Sequence, residues 1–311
     1  MRVAFFGNSQ SIFSNRHFKA LMDTSCELLC VVDVPVSKRN STNPAKMNFP
    51  DFIGVAHQQG IPVFEPDSPN QKDFVEAIGN LSPDLFIAVG YTNILKEQIL
   101  SIPRIMAVNF HASLLPAYRG KHPVFWALRN GEKWAGLTIH VMDIGLDNGD
   151  ILYQVKVRTR RDDSVATLYD RIMPQSVKLV DRLINDAKNN GLQRTPQSEE
   201  GASYYSSVHE DDFGLDWSKD AEMLARWIHT SPNQCFCKIK KHKVFFMDVR
   251  VIKDVSDMIP SILIRVGRNS CTVTTGKGLL RLYKGQIDND CIEPMPDICQ
   301  KLGLRQGELL H

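Results

Sequence analysis

Through the first half of the chain, short apolar runs alternate with stretches of helical period. On that pattern residues 2–7, 27–34, 61–64, 84–90 and 107–111 are expected as strands. Residues 14–22, 50–59, 72–80 and 96–101 between them are expected as helices. Strand–helix alternation of this kind predicts a doubly wound parallel sheet, an α/β class. In such sheets ligands bind at the carboxyl ends of strands, where strand order reverses. A helix is expected from 124 to 128, then strands over 136–143 and 150–157, then one amphipathic helix over 164–189. Val165, Leu168, Ile172, Val177, Leu179 and Leu183 form its apolar stripe, and Asn189-Asn190-Gly191 ends it.

From Leu192 the texture changes. Residues 196–205 are polar and turn-rich, and a helix is expected over 218–229, with Asp220 and Glu222 in its first turn. Short strands follow at 236–240, 244–251, 261–266, 271–275 and 279–283, a spacing that suggests a small barrel. The expected layout is an α/β domain over 1–191, a linker over 192–206 and a small β-barrel domain over 207–311.

Composition narrows the class without naming a chemistry. The chain of 311 residues is 43% hydrophobic and 23% charged, with a formal net charge of +2. These values are ordinary for a soluble globular protein and exert no global pull toward nucleic acid. Residues 201–311 carry 15 Lys+Arg against 14 Asp+Glu, so the cluster at Lys238, Lys240, Lys241 and Lys243 is read as a charged turn on a solvated face. No apolar run is long enough for a bilayer, and the opening residues lack a signal-peptide layout. Seven scattered cysteines (26, 30, 235, 237, 271, 291 and 299) fit a reduced, cytoplasmic chain better than a disulfide framework. Cys235-x-Cys237 lacks the spacing and second pair of a zinc site, and no metal is expected. The turn after the first strand, Gly7-Asn8-Ser9, is not a G-x-G-x-x-G fingerprint, which argues against nicotinamide or flavin binding.

The chemistry concentrates in Asn109-Phe110-His111-Ala112-Ser113-Leu114-Leu115-Pro116 and Gly145-Leu146-Asp147-Asn148-Gly149-Asp150. Asn109 and His111 are two apart, so on a strand they share a face. Asp147 lies in a glycine-bracketed loop. An amide, an imidazole and a carboxylate without a strong nucleophile suit acyl transfer by direct attack of an amine. The bland alternative is a structural Asn–His–Asp hydrogen-bond network. His122 either contacts an anionic acceptor or opens the helix at Pro123, and His140 is either a satisfied core histidine or a functional one.

These residues resemble the folate-dependent formyltransferases. The likeness covers Asn109-x-His111, Ser113-Leu-Leu-Pro116, Arg119-Gly120 and Asp147, thirty-eight residues after Asn109. It implies a Rossmann-like formyltransferase fold followed by an OB-like barrel, with 10-formyltetrahydrofolate as co-substrate. It further implies Asn109 as oxyanion donor, His111 as imidazolium or base, and Asp147 as the group that raises the pKa of His111. The loop Tyr91-Thr92-Asn93-Ile94-Leu95 resembles the family's pteridine site, with Ile94 and Leu95 sandwiching the ring and Asp143 through Gly145 to Asp147 walling the other side. Asn8, Ser9, Ser113, Arg119, Lys121 and His122 are the expected acceptor contacts.

The acceptor divides the family. The loop Ser37-Lys38-Arg39-Asn40-Ser41-Thr42 lacks the glycines usual in methionyl-tRNA formyltransferases, although Lys38 and Arg39 offer charge to an acceptor stem. Thr138-Ile139-His140 resembles amino-sugar formyltransferases, as does the tail 301–307. A nucleotide-linked amino sugar is therefore the expected acceptor and methionyl-tRNA the alternative. A formate-releasing hydrolase and a non-catalytic folate sensor are the readings from other classes. Oligomeric state has no sequence signature here.

Overall fold

The computed structural model describes residues 1–35, 51–252 and 258–310; the loop 37–42 lies outside them. The chain divides into two compact units, one of Met1–Pro123, Ala135–Val157 and Asp170–Tyr205, the other of Val124–Trp134, Arg158–Tyr169 and Ser206–His311.

In chain order the elements are β1 (Arg2–Gly7), α1 (Ile12–Met22), β2 (Glu27–Asp33), α2 (Phe52–Gln58), β3 (Val63–Phe64), α3 (Lys72–Asn80), β4 (Leu85–Val89), α4 (Glu97–Leu100), β5 (Met106–His111), β6 (Arg119–Gly120), α5 (Pro123–Asn130), β7 (Trp134–Val141), β8 (Ile151–Arg158), α6 (Val165–Ser176), α7 (Lys178–Lys188) and β9 (Tyr204–Tyr205). Seven strands form one sheet in the order β3-β2-β1-β4-β5-β7-β8. β1 to β5 pair in parallel, so strand order reverses between β1 and β4. Both faces of these strands are covered. Phe5 packs edge-on against Phe18 of α1 and Phe52 of α2, while Phe6 faces Phe86 and Tyr91 on the other side. That is why Val3 to Phe6 are all fully buried and the strand is apolar throughout.

The first-half strands pair in parallel as expected, and the sheet becomes mixed only beyond them. β7 runs antiparallel to β5, with Asn109 opposite His140 and His111 opposite Thr138. The connection leaves β5 and re-enters β7 at the same end of the sheet, so it cannot be a βαβ crossover. The single helix expected over 164–189 is two, α6 and α7, with Pro174 inside the first. Proline has no N–H to donate and crowds the preceding turn, which favours a break in the ladder nearby.

In the second unit, η1 (Glu210–Phe213, a 3₁₀ turn) precedes α8 (Ala221–Thr230), β10 (Phe236–Ile239), β11 (His242–Ile252), β12 (Leu263–Val266), β13 (Cys271–Thr274), β14 (Leu279–Ile287), β15 (Glu293–Pro294) and α9 (Met295–Lys301). Its sheet follows the path β10-β11-β14-β13-β12, with β15 on β14. The pairings are antiparallel, with irregularities at Phe246–Val249 and Leu263–Arg265. Such bulges bend strands, and the result is an open, curled half-barrel, in keeping with the small OB-like barrel expected. Trp217, Leu224, Ile228, Phe246, Leu280, Leu282, Met295 and Ile298 fill its core. α9 had no place in the sequence reading; four residues of it, Met295 to Ile298, hold a proline and an aspartate, which mask its short apolar face.

Candidate active site

β5 delivers Asn109 and His111 on one face, and the β7–β8 loop delivers Asp147. Asp147 adopts a φ of 54°, a left-handed conformation that aspartate tolerates better than most residues. Three bonds hold that loop in place. The Gly145 amide donates to Asp143 Oδ1 at 2.9 Å, and Gln197 Nε2 donates to the carbonyls of Asp147 and Gly149, each at 2.8 Å.

The two carboxylate oxygens have separate surroundings. Oδ2 accepts the Gly120 amide at 2.9 Å and lies 3.6 Å from His111 Nδ1. Oδ1 lies 3.4 Å from Asn109 Nδ2 and 3.3 Å from His140 Nε2. Gly120 has a φ of 97°, and a Cβ there would stand 2.3 Å from the Tyr205 carbonyl oxygen. Only glycine brings that N–H to Asp147 without displacing β9. Burial pushes the Asp147 carboxyl up, but its contacts with His140, His111 and the Gly120 amide outweigh this and hold it down at about 2.

His111 is buried, with Nε2 2.8 Å from the Tyr118 carbonyl oxygen. A carbonyl only accepts, so Nε2 carries the proton and Nδ1 is left facing Asp147. Burial lowers the His111 pKa below the ordinary imidazole value; Asp147 and the Tyr118 bond pull it up, and His140 adds to the lowering. The expectation that Asp147 raises this pKa holds for the pair alone, but burial outweighs it.

The remaining expected site residues scatter. Tyr91 packs half-buried on Phe6, Thr92 is exposed, and Asn93 Nδ2 reaches the Tyr91 hydroxyl at 3.5 Å. Ile94 and Leu95 do not form a sandwich: Leu95 is buried in the core with Phe86 and Ile99, whereas Ile94 is 73% exposed. Successive residues on this turn face opposite ways. Asp143 is exposed, as are Ile144 at 80% and Leu146 at 54%. Asn8 Oδ1 accepts the Gln10 amide, and buried Ser9 bonds through its backbone to Asp33 and Asn15. Ser113 is buried and donates to the Ala117 carbonyl at 2.8 Å. Lys121 and His122 are exposed.

Arg119 differs most from its expected acceptor role. It is fully buried, and its guanidinium donates to Gln197, Glu199 and the Tyr204 hydroxyl. With Arg119 opposite Tyr204 and Gly120 opposite Tyr205, the C-terminal part of the expected linker is bound to the strand beside Asp147. Gln197 and the Gly120 amide thus belong to the site's support; Gly120 stood in the Arg119-Gly120 motif, but nothing local to either residue pointed to Asp147 as its partner. His140 had one, its register opposite Asn109, visible only once β7 is placed against β5. Among the described residues, no group of three or more His, Cys, Asp or Glu side chains stands where it could hold a metal ion, and no helix is long and apolar enough to cross a membrane.

Comparison with known proteins gives this arrangement its class. Residues 1–184 match the family model described as formyl transferase, and residues 208–303 match the formyl transferase C-terminal domain. Among curated proteins, the methionyl-tRNA formyltransferase of Agathobacter rectalis is 30% identical over 290 residues, covering 92% of each chain. That of Caldanaerobacter subterraneus subsp. tengcongensis is 28% identical over 315 residues, covering 100% of this chain and 97% of its own. Among solved structures, the sugar 3N-formyl transferase WlaRD, studied with dTDP and 5-N-formyl-THF, has a TM-score of 0.67 at 15% identity, over 94% of this chain and 99% of its own. HypX from Aquifex aeolicus with tetrahydrofolic acid has a TM-score of 0.62 at 17% identity, over 98% of this chain and 48% of its own. The chain belongs to the formyl transferase family, and both of that family's domains are present in it.

Proposed function

We propose that the chain moves the formyl group of 10-formyltetrahydrofolate to a primary amine, with Asn109, His111 and Asp147 as the catalytic set. The observation that carries this reading is their convergence at the end of β5, with no nucleophilic side chain among them. The amine nitrogen adds to the formyl carbon, and the C=O pair moves onto oxygen. Collapse breaks the bond to N10, and the proton lost by the amine ends on N10. Asn109 donates to the oxyanion. His111 Nδ1, the ring nitrogen without a carbonyl partner, takes the amine proton, and Asp147 Oδ2 stabilises the imidazolium so formed. Burial keeps His111 neutral at rest and ready as a base.

The loops 91–95 and 143–147 supply the folate walls. Tyr91 and Met142 pack on one core cluster, so both loops begin against the same part of the core. Ile94, Ile144 and Leu146 stand exposed on them, apolar surface of the kind a flat ring covers. Tyr91, Thr92, Asn93, Asp143 and Gly145 are the neighbouring contacts proposed.

For the acceptor, the nucleotide-linked amino sugar is our main reading, on the strand Thr138-Ile139-His140 and its place beside Asn109. Asn8, Lys121 and His122 are the proposed contacts. The second reading, methionyl-tRNA, is favoured by the names of the curated relatives. A side-by-side turnover assay with 10-formyltetrahydrofolate separates them: methionyl-tRNA in one arm, nucleotide-linked amino sugars in the other. Turnover with the sugars alone supports the first reading, and turnover with tRNA alone replaces it with the second. Formate release without any acceptor would overturn both.

A further inference from the structure

Gln197 belongs to no expected site set, yet its side-chain amide joins two residues of the site's frame. Its Nε2 donates to the carbonyl oxygens of Asp147 and Gly149, each at 2.8 Å. Its Oε1 accepts from Arg119 Nε at 3.1 Å and from Arg119 Nη2 at 2.9 Å. Backbone carbonyls only accept and a guanidinium only donates, so the amide has one orientation open to it. Both of its N–H groups are used, and its oxygen accepts twice. A carboxylate here would turn an oxygen toward two carbonyls, and an ammonium would face the guanidinium. Arg119 does not depend on Gln197 for its own place, because it is fully buried and also donates to Glu199 and the Tyr204 hydroxyl.

The next residue along β6 completes a circuit. The Gly120 amide donates to Asp147 Oδ2 at 2.9 Å, and that oxygen lies 3.6 Å from His111 Nδ1. A hydrogen-bonded ring therefore runs from the Asp147 carbonyl through Gln197 to Arg119, along the chain to Gly120, and back to the Asp147 carboxylate. It holds Asp147 by main chain and by side chain at once. Asp147 has a φ of 54°, a conformation that a non-glycine residue keeps only where its surroundings over-determine it. Gln197 supplies two of those constraints, one on either side of Asn148.

We propose that Gln197 is a positioning residue: oriented by Arg119, it fixes the Asp147 turn so that the carboxylate stays on His111. The inference rests on the formyl-transfer reading above and assigns it a residue that acts through Asp147 without touching the reacting atoms. A misplacement of about 1 Å at a catalytic group can cost on the order of 100-fold in rate. Two bonds that hold the turn therefore bear on kcat before they bear on binding.

The test is a double-mutant cycle on kcat, run with 10-formyltetrahydrofolate and the acceptor that supports turnover, with KM for both measured alongside. Gln197→Met keeps the length and removes the donors; kcat falls about tenfold or more, while both KM values are little changed. Gln197→Glu keeps an oxygen for Arg119 but offers the two carbonyls no donor, and its kcat falls about as far. In an Asp147→Asn background neither substitution costs anything further, because the charge being aimed is gone. The inference is overturned if Gln197→Glu keeps wild-type kcat, since contact with Arg119 alone would then suffice. It is also overturned if the loss persists in the Asp147→Asn background, or if it falls on the folate KM with kcat unchanged, the mark of a merely structural loop. If Gln197→Met does not fold, Gln197→Glu and its pair with Asp147→Asn decide alone by the same outcomes. Failure of the underlying reading looks different, since Asp147→Asn by itself would then keep near-normal turnover.

Discussion

Asp147→Asn separates the charge of the carboxylate from its shape. Asparagine keeps an oxygen for the Gly120 amide but puts an NH2 group where Asn109 already presents one. In the native site the carboxyl is held at about 2 against an ordinary value of 3.8, and its side chain is only 11% exposed. At about 1.4 kcal/mol per pKa unit, the fold favours the ionised form by on the order of 2 kcal/mol. The sign follows from proton counts. Between these two values the unfolded chain binds more protons than the folded one, so this stability is fully present above roughly pH 4 and is lost as pH falls through 2. Asparagine has no such dependence. Urea titrations of both proteins at pH 7, 5, 4 and 3 should show the wild-type advantage constant from 7 to 5 and shrinking below 4. At neutral pH, kcat should fall on the order of 100-fold with folate affinity little changed, since the imidazolium loses its counter-charge. A stability difference that stays constant down to pH 3 would refute the electrostatic account, and near-normal turnover would refute the catalytic one.

His17 carries a second pH dependence of different origin. Burial, only partly offset by the bond to the Phe13 carbonyl, lowers its pKa from 6.5 to about 4, so stability should fall as pH drops from 6.5 toward 4, by up to about 3 kcal/mol; a pH-independent difference between wild type and His17→Gln over this window would contradict it. Arg119→Met should cost about 3 kcal/mol or more, through five donors lost to Gln197, Glu199 and Tyr204, with acceptor KM little changed in the folded fraction. A raised acceptor KM at unaltered thermal stability would return Arg119 to the acceptor site. Leu280→Ala, in the half-barrel core and fully buried, should cost about 2–5 kcal/mol without altering kcat, measured by urea unfolding and turnover at low temperature.

Local pattern was enough for most elements. β1 and α3 have the bounds their periodicity predicts, and β2, β4 and β5 differ by a residue or so at an end. Helix period and strand period are properties of a short window, and the caps that end them are a residue or two long. Asn109 and His111 were legible for the same reason: two apart on a strand is a local fact. The break between α6 and α7 was less so, because Pro174 is compatible with helix on either side and the tertiary environment decides where the ladder gives way.

What the sequence by itself determined was the kind of chemistry: which residue types stand near strand ends, and that they are an amide, an imidazole and a carboxylate. What only the tertiary structure decided was their partners. The antiparallel turn of β7 puts His140 beside Asn109, the pairing of β6 with β9 brings the Gly120 amide to Asp147, and Gln197 reaches the Asp147 loop from 50 residues away. Arg119 looked like an anion contact in sequence and is a buried strut in the fold. The physical reason is common to all four. Direction of a side chain along one strand follows from its own backbone, but the burial and the hydrogen-bond acceptors that set its charge and aim come from chain segments whose placement is a property of the whole packed sheet.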